Sequence, residues 1–131
     1  MSKILVVDDE QDIVTIIGKV LKKSGYEVTT ANDGLECIKK VETEPPDLIL
    51  LDNMMPNMDG QAVLSKLKAS KKTADIPVIM VTALADQEHI TGAQKAGAVE
   101  YIVKPFGYEV LLEKIAQALK SKGKRRATVH E

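Results

Sequence analysis

Apolar side chains along this chain follow two rhythms. Five short runs stand out: Ile4-Leu5-Val6-Val7, Tyr26-Glu27-Val28-Thr29-Thr30, Leu48-Ile49-Leu50-Leu51, Val78-Ile79-Met80-Val81 and Val99-Glu100-Tyr101-Ile102-Val103. The first, third and fourth are continuous, as strands are when helices cover both faces of their sheet. The second and fifth mix in polar residues, which suits positions nearer the sheet edges. Between the runs, apolar residues recur at helical spacing. Ile13, Ile16, Ile17, Val20 and Leu21 form one stripe, and Leu35, Ile38 and Val41 a second. Val63, Leu64 and Leu67 form a third, Ile90, Ala93 and Ala96 a fourth, and Leu111, Leu112, Ile115, Ala118 and Leu119 a fifth.

Boundary residues agree with this division. Ser24-Gly25 and Ala96-Gly97 read as helix exits, because glycine enters the left-handed conformation cheaply. Asp59 is placed to cap the third helix, and Pro45-Pro46 stops the second. Strands alternating with helices predict right-handed βαβ units. The expected fold is α/β: a doubly wound, five-stranded parallel sheet of order 2-1-3-4-5, with five helices on two faces.

Composition narrows the picture. The 131 residues are 44% hydrophobic and 28% charged, with a net charge of −1, and suit one domain with its own core. Neither a nucleic acid nor a membrane partner is called for, and no apolar run approaches the length of a span. The single cysteine, Cys37, excludes an internal disulfide and reads as a buried thiol. A cytoplasmic location is the expectation. Residues 1–120 form the predicted domain. Residues 121–131 carry Lys122, Lys124, Arg125 and Arg126 without apolar periodicity, and read as a flexible basic tail or truncated linker.

Candidate chemistry gathers at the carboxyl ends of the strands, where parallel sheets bind their ligands. Asp8, Asp9 and Glu10 follow the first strand, Asp52 the third, Thr82 and Ala83 the fourth, and Lys104-Pro105 the fifth. Glu10 alone reads as a first-turn acid that suits the helix dipole. Carboxylates so close repel one another unless a cation balances them. Oxygen donors without a His or Cys cluster point to Mg2+, with Mn2+ as the alternative. His89 reads as a surface residue of the fourth helix, and His130 sits in the tail. A carboxylate with a cation, an ammonium and a hydroxyl around it suits phosphoryl transfer, and aspartate can be the nucleophile. Asp52, on a central apolar strand, is the choice. Thr82 would donate to a phosphoryl oxygen, Ala83 leaves room for that group, and Lys104 supplies a point charge.

These segments resemble the receiver domain family of two-component signalling. The resemblance rests on Ile4-Leu5-Val6-Val7-Asp8-Asp9-Glu10, Leu50-Leu51-Asp52-Asn53-Met54-Met55-Pro56-Asn57-Met58-Asp59-Gly60, Val81-Thr82-Ala83 and Lys104-Pro105-Phe106, in order and spacing, and covers about Lys3 to Lys120. It implies that Asp52 accepts a phosphoryl group from the phosphohistidine of a sensor histidine kinase or phosphotransfer protein. It implies metal ligation by Asp9, Asp52 and the backbone carbonyl of Met54, with Asp8 acting through a water. It also implies a cis Lys104–Pro105 bond and a switch formed by Thr82 and Tyr101, which would turn inward on activation. Such a domain catalyses its own phosphorylation and slow dephosphorylation, but is primarily a signalling switch. The face built from helix 4, strand 5 and helix 5 would then act on a downstream protein or an attached effector domain. A phosphorylation-dependent homodimer through that face is also allowed. Val99-Glu100 and Glu113-Lys114 nevertheless lack much of the charge pairing expected of the winged-helix subfamily.

Three other readings fit these residues less well. An interaction-only module would not need Asp8, Asp9, Asp52, Thr82 and Lys104 together. A flavodoxin-like cofactor binder would place a phosphate where Asp8-Asp9-Glu10 repel it. An aspartyl-phosphate hydrolase needs a second acid two residues after Asp52 or after Asp8; Met54 and Glu10 stand there, so only the latter keeps a carboxylate, and a cap domain has no room.

Overall fold

A computed structural model describes residues 2–55 and 58–129 of the chain. Five strands and five helices alternate: β1 Lys3–Val7, α1 Gln11–Lys23, β2 Glu27–Ala31, α2 Gly34–Thr43, β3 Leu48–Leu51, α3 Gly60–Ala69, β4 Val78–Thr82, α4 Gln87–Ala96, β5 Glu100–Val103 and α5 Tyr108–Val129. Every strand pairing is parallel, in the order β2-β1-β3-β4-β5. The expected architecture and strand order are therefore the observed ones. Pro56 and Asn57 of the loop after β3, and His130, lie outside the described residues.

Strand periodicity divides the core in two. Leu5, Val7, Ile49, Leu51, Val78 and Met80 pack with Cys37, Val41, Val63, Leu64, Leu67 and Ala93 from α2, α3 and α4. Their strand neighbours Ile4, Val6, Leu48, Leu50, Ile79 and Val81 pack with Val14, Ile17, Leu21, Leu111 and Ile115 from α1 and α5. Alternate side chains point to opposite faces, so the continuous apolar runs feed both layers. Each large aliphatic side chain buried this way contributes roughly 1.5–3 kcal/mol.

Helix ends follow simple chemistry. Asp33, Asp59 and Asp86 each accept the amide of the third residue onward and cap α2, α3 and α4. Gly97 ends α4 at φ 109°, where its amide donates to the Ala93 and Gln94 carbonyls. Two stripe assignments are corrected. Ile16 is 45% and Leu35 57% exposed. The buried faces are Val14, Ile17, Gly18 and Leu21 in α1, and Gly34, Cys37 and Val41 in α2. Small glycines set these faces, so counting bulky residues rotates the stripe. The backbone of α5 is helical through Val129. Among the described residues no helix is long and apolar enough to cross a membrane.

Candidate functional site

The sheet ladder extends one residue beyond the strands on the carboxyl edge. The amide of Asp8 donates to the Ala31 carbonyl at 3.2 Å, that of Asp52 to Val7 at 3.0 Å and that of Lys104 to Thr82 at 2.8 Å. Backbone pairing thus fixes three charged residues at one level, before any side-chain contact forms. Thr82 closes β4 beside them.

The side chains then converge. Lys104 Nζ lies 2.7 Å from Asp8 Oδ2 and 3.3 Å from Asp52 Oδ2. Glu10 Oε1 is 3.9 Å from the same ammonium. Asp8 and Asp52 are only 3% and 4% exposed, so these charges interact with little solvent screening. The other oxygens are also used: Asp8 Oδ1 accepts from the Glu10 amide at 2.9 Å, and Asp52 Oδ1 from the Met54 amide at 3.2 Å. The hydroxyl oxygen of Thr82, fully buried, accepts a long 3.4 Å bond from the Leu84 amide. Ala83 is exposed beyond it.

Charge states follow. Burial pushes the Asp52 carboxyl above the ordinary carboxylate range. The Met54 amide opposes this, the Asp8 charge adds to it, and Lys104 offsets part of it. Burial is also the largest influence on Lys104, and it pulls downward. The hydrogen bond to Asp8 and the charges of Asp52 and Asp8 together outweigh it, so the ammonium is held above its usual value.

Carboxylate oxygens of Asp8, Glu10 and Asp52 lie within 4.8 Å of one another, a spacing that could hold a hard divalent cation. Glu10 is the member that sequence reasoning set aside as a dipole acid. It sits at the N-cap position of α1 without capping the helix, which leaves its side chain available to this group. Asp9 is exposed and is not one of the three.

Around this centre, Tyr101 packs against the core, and its hydroxyl donates to the Leu84 carbonyl at 2.7 Å. That bond links β5 to the loop after Thr82. The Lys104–Pro105 peptide is cis. His89 stands away from the centre and pairs with Asp86 at 2.7 Å. Cys37 is buried, with its thiol pushed up to about 12, which leaves it unreactive.

Two further residues shape the site. Asn53 is 8% exposed; its carbonyl accepts from Gly60 N, and its side-chain oxygen from Gln61 N, both at 3.0 Å. It ties the residue after Asp52 to the first turn of α3. A Cβ on Gly60 would come 2.3 Å from the Asp52 carbonyl oxygen. Glycine at this position lets α3 seat directly on the Asp52 backbone. Only the adjacency of Asn53 to Asp52 could have signalled this in the sequence.

Comparison with known proteins agrees with this fold. Residues 4–116 match the response regulator receiver domain. The alkaline phosphatase synthesis transcriptional regulatory protein PhoP of Bacillus subtilis is 47% identical over 105 residues, 80% of this chain and 43% of that protein. The chain spans about half the length of the first curated relatives it matches. The chemotaxis protein CheY of Listeria monocytogenes is 40% identical over 92% of this chain and is covered completely. A CheY-like receiver domain protein from Methanospirillum hungatei superposes with a TM-score of 0.90 at 35% identity, over 95% of this chain and 98% of that one.

Proposed function

The chain belongs to the response regulator receiver domain family, and on that premise we propose that it is a phosphoacceptor switch charged on Asp52. The observation that carries this reading is the triangle of Asp52, Asp8 and Lys104. A buried carboxylate at a strand end shares one ammonium with a second carboxylate, 3.3 and 2.7 Å away. The donor would be a phosphohistidine of a sensor kinase or phosphotransfer protein.

Asp52 attacks the phosphorus in line, and the histidine nitrogen leaves. Lys104 meets the transferred group with positive charge already in place, which costs no reorganisation during reaction. Thr82 turns its hydroxyl from the long bond with Leu84 toward a phosphoryl oxygen. Asp8, Glu10 and Asp52 have the oxygen chemistry to hold Mg2+, and the family resemblance adds Asp9 and the Met54 carbonyl. Held there, such a cation would supply positive charge to balance the phosphoryl oxygens.

Movement of Thr82 disturbs the loop whose Leu84 carbonyl holds Tyr101. That biases the α4–β5–α5 face between two populations. The face then acts on a partner protein or on an attached output domain. Met54 and Leu84, two residues after Asp52 and Thr82, offer no acid or amide to orient water. The phosphoryl group on Asp52 is accordingly long-lived, and its loss within seconds would contradict this.

Incubation with Mg2+ and acetyl phosphate, followed by intact mass, tests the assignment. One added phosphoryl group, absent in Asp52→Asn, is expected. No gain at saturating donor overturns it.

A further inference from the structure

Methionines in this chain are unequally protected. Met80 in β4 is 1% exposed, and Met55 and Met58 are half-buried against the core shared by α2 and α3. Met54 differs, at 56% exposed. Its amide nitrogen is 3.2 Å from Asp52 Oδ1, so the exposed residue stands beside the acceptor carboxylate. Oxidation of methionine turns a flexible apolar side chain into a polar, chiral sulfoxide that enzymes can reduce again.

The geometry points to Met54 as a redox-sensitive modification site, oxidised by peroxide, that sets the lifetime of the phosphoryl group. This rests on the reading of Asp52 as phosphoacceptor. The thioether sulfur attacks one peroxide oxygen; the S–O bond forms as the O–O bond breaks. Sulfur loses two electrons, and the peroxide is reduced to water. The second reaction is ordinary hydrolysis of the acyl phosphate. Water attacks phosphorus, the bond to the Asp52 oxygen breaks, inorganic phosphate takes up the water proton, and the carboxylate is restored.

A thioether is a weak acceptor and holds that water poorly. The sulfoxide oxygen is a strong acceptor carried by an exposed residue two positions after Asp52, whose amide already meets that carboxylate. It orients the attacking water. One such hydrogen bond of ordinary net strength corresponds to about a fivefold faster loss of phosphate.

The test exposes purified protein to graded hydrogen peroxide and maps sulfoxide by peptide mass spectrometry. Phosphoryl loss after acetyl phosphate loading is timed by intact mass before and after oxidation, in wild type, Met54→Leu and Met54→Gln. Met54 should oxidise ahead of Met55, Met58 and Met80. Loss should accelerate about fivefold in the wild type. Peroxide should leave the rate in Met54→Leu unchanged, and Met54→Gln should start fast without peroxide. Reduction by methionine sulfoxide reductase should restore the slow rate. Met54 oxidising no sooner than Met80, or a lifetime that shifts equally in Met54→Leu, overturns the inference. Phosphorylation with an unaltered lifetime after Met54 oxidation overturns it alone. Failure of the unoxidised protein to take any phosphoryl group overturns the receiver reading, and this one with it.

Discussion

The ammonium of Lys104 sits 2.7 Å from Oδ2 of Asp8, a contact that joins residues 96 positions apart. Lys104 is only 15% exposed and Asp8 4% at the side chain, so neither charge can turn to water when the other is removed. Breaking a buried pair by deleting one partner costs more than the pair contributes, because the survivor stays desolvated. Lys104→Met leaves Asp8 and Asp52 facing each other with Glu10 nearby. In chelator this variant should lose about 2–4 kcal/mol in urea unfolding. Added Mg2+ should recover more stability in the variant than in the wild type, since the cation takes over the missing charge. Equal stabilisation of both proteins would count against Lys104 as the counter-charge of this centre.

Asp52 has its own signature in pH. Burial holds its folded pKa above the ordinary carboxylate value. The folded state therefore keeps this proton to higher pH than the unfolded state does. Its contribution to stability is intact below about pH 3.9 and is lost as pH rises through the raised value. At neutral pH the ionised group works against folding. Asp52→Asn, measured by urea unfolding in chelator, should be more stable than wild type at pH 7, with the advantage shrinking toward pH 4. An advantage that grows on acidification would mean that Lys104 outweighs burial.

Much of this is legible in the sequence. The runs at Ile4, Leu48 and Val78 announce strands covered on both faces, and Asp8, Asp52, Thr82 and Lys104 then follow at strand ends by counting. What the sequence hid depends on approach rather than pattern. Ile16 looks like core because it is bulky, yet Gly18 is the residue that faces β2, with space enough that an added Cβ would lie 3.8 Å from Val28. Glu10 looks like a dipole acid until the rotation of α1 sets its carboxylate beside Asp52. Asn53 and Gly60 matter through a backbone contact that leaves no periodicity.

Gly60 makes that contact measurable. An alanine Cβ there would meet the Asp52 carbonyl oxygen at 2.3 Å and Asn53 Cα at 2.7 Å, both backbone atoms that cannot rotate away. Gly60→Ala should cost about 1–3 kcal/mol. It should also slow phosphorylation from acetyl phosphate, because Asp52 must shift to relieve the overlap. Gly107 offers the control. A Cβ there meets nothing within 4 Å, and Gly107→Ala should stay within about 0.5 kcal/mol of wild type. Relief of unfolded-chain entropy favours alanine at both positions, so similar losses in the two variants would count against the close approach at Gly60 as the cause.

Tyr101 reports on the other side of the site. Its hydroxyl reaches the Leu84 carbonyl at 2.7 Å, while the ring packs against the core. Burial raises the phenol above its ordinary value, with the Asp86 and Asp52 charges adding to the effect. The proton is thus held more firmly in the folded state, and this contribution is present below about pH 10 and lost above it. Tyr101→Phe keeps the ring and removes only the donor. It should cost about 1 kcal/mol at neutral pH, the net worth of one hydrogen bond. The bond ties β5 to the segment between Thr82 and the start of α4, so amide exchange across residues 84–89 should quicken in the variant. An unchanged exchange pattern together with the stability loss would leave Tyr101 as packing alone, and would remove the link through which Thr82 reaches the α4–β5–α5 face.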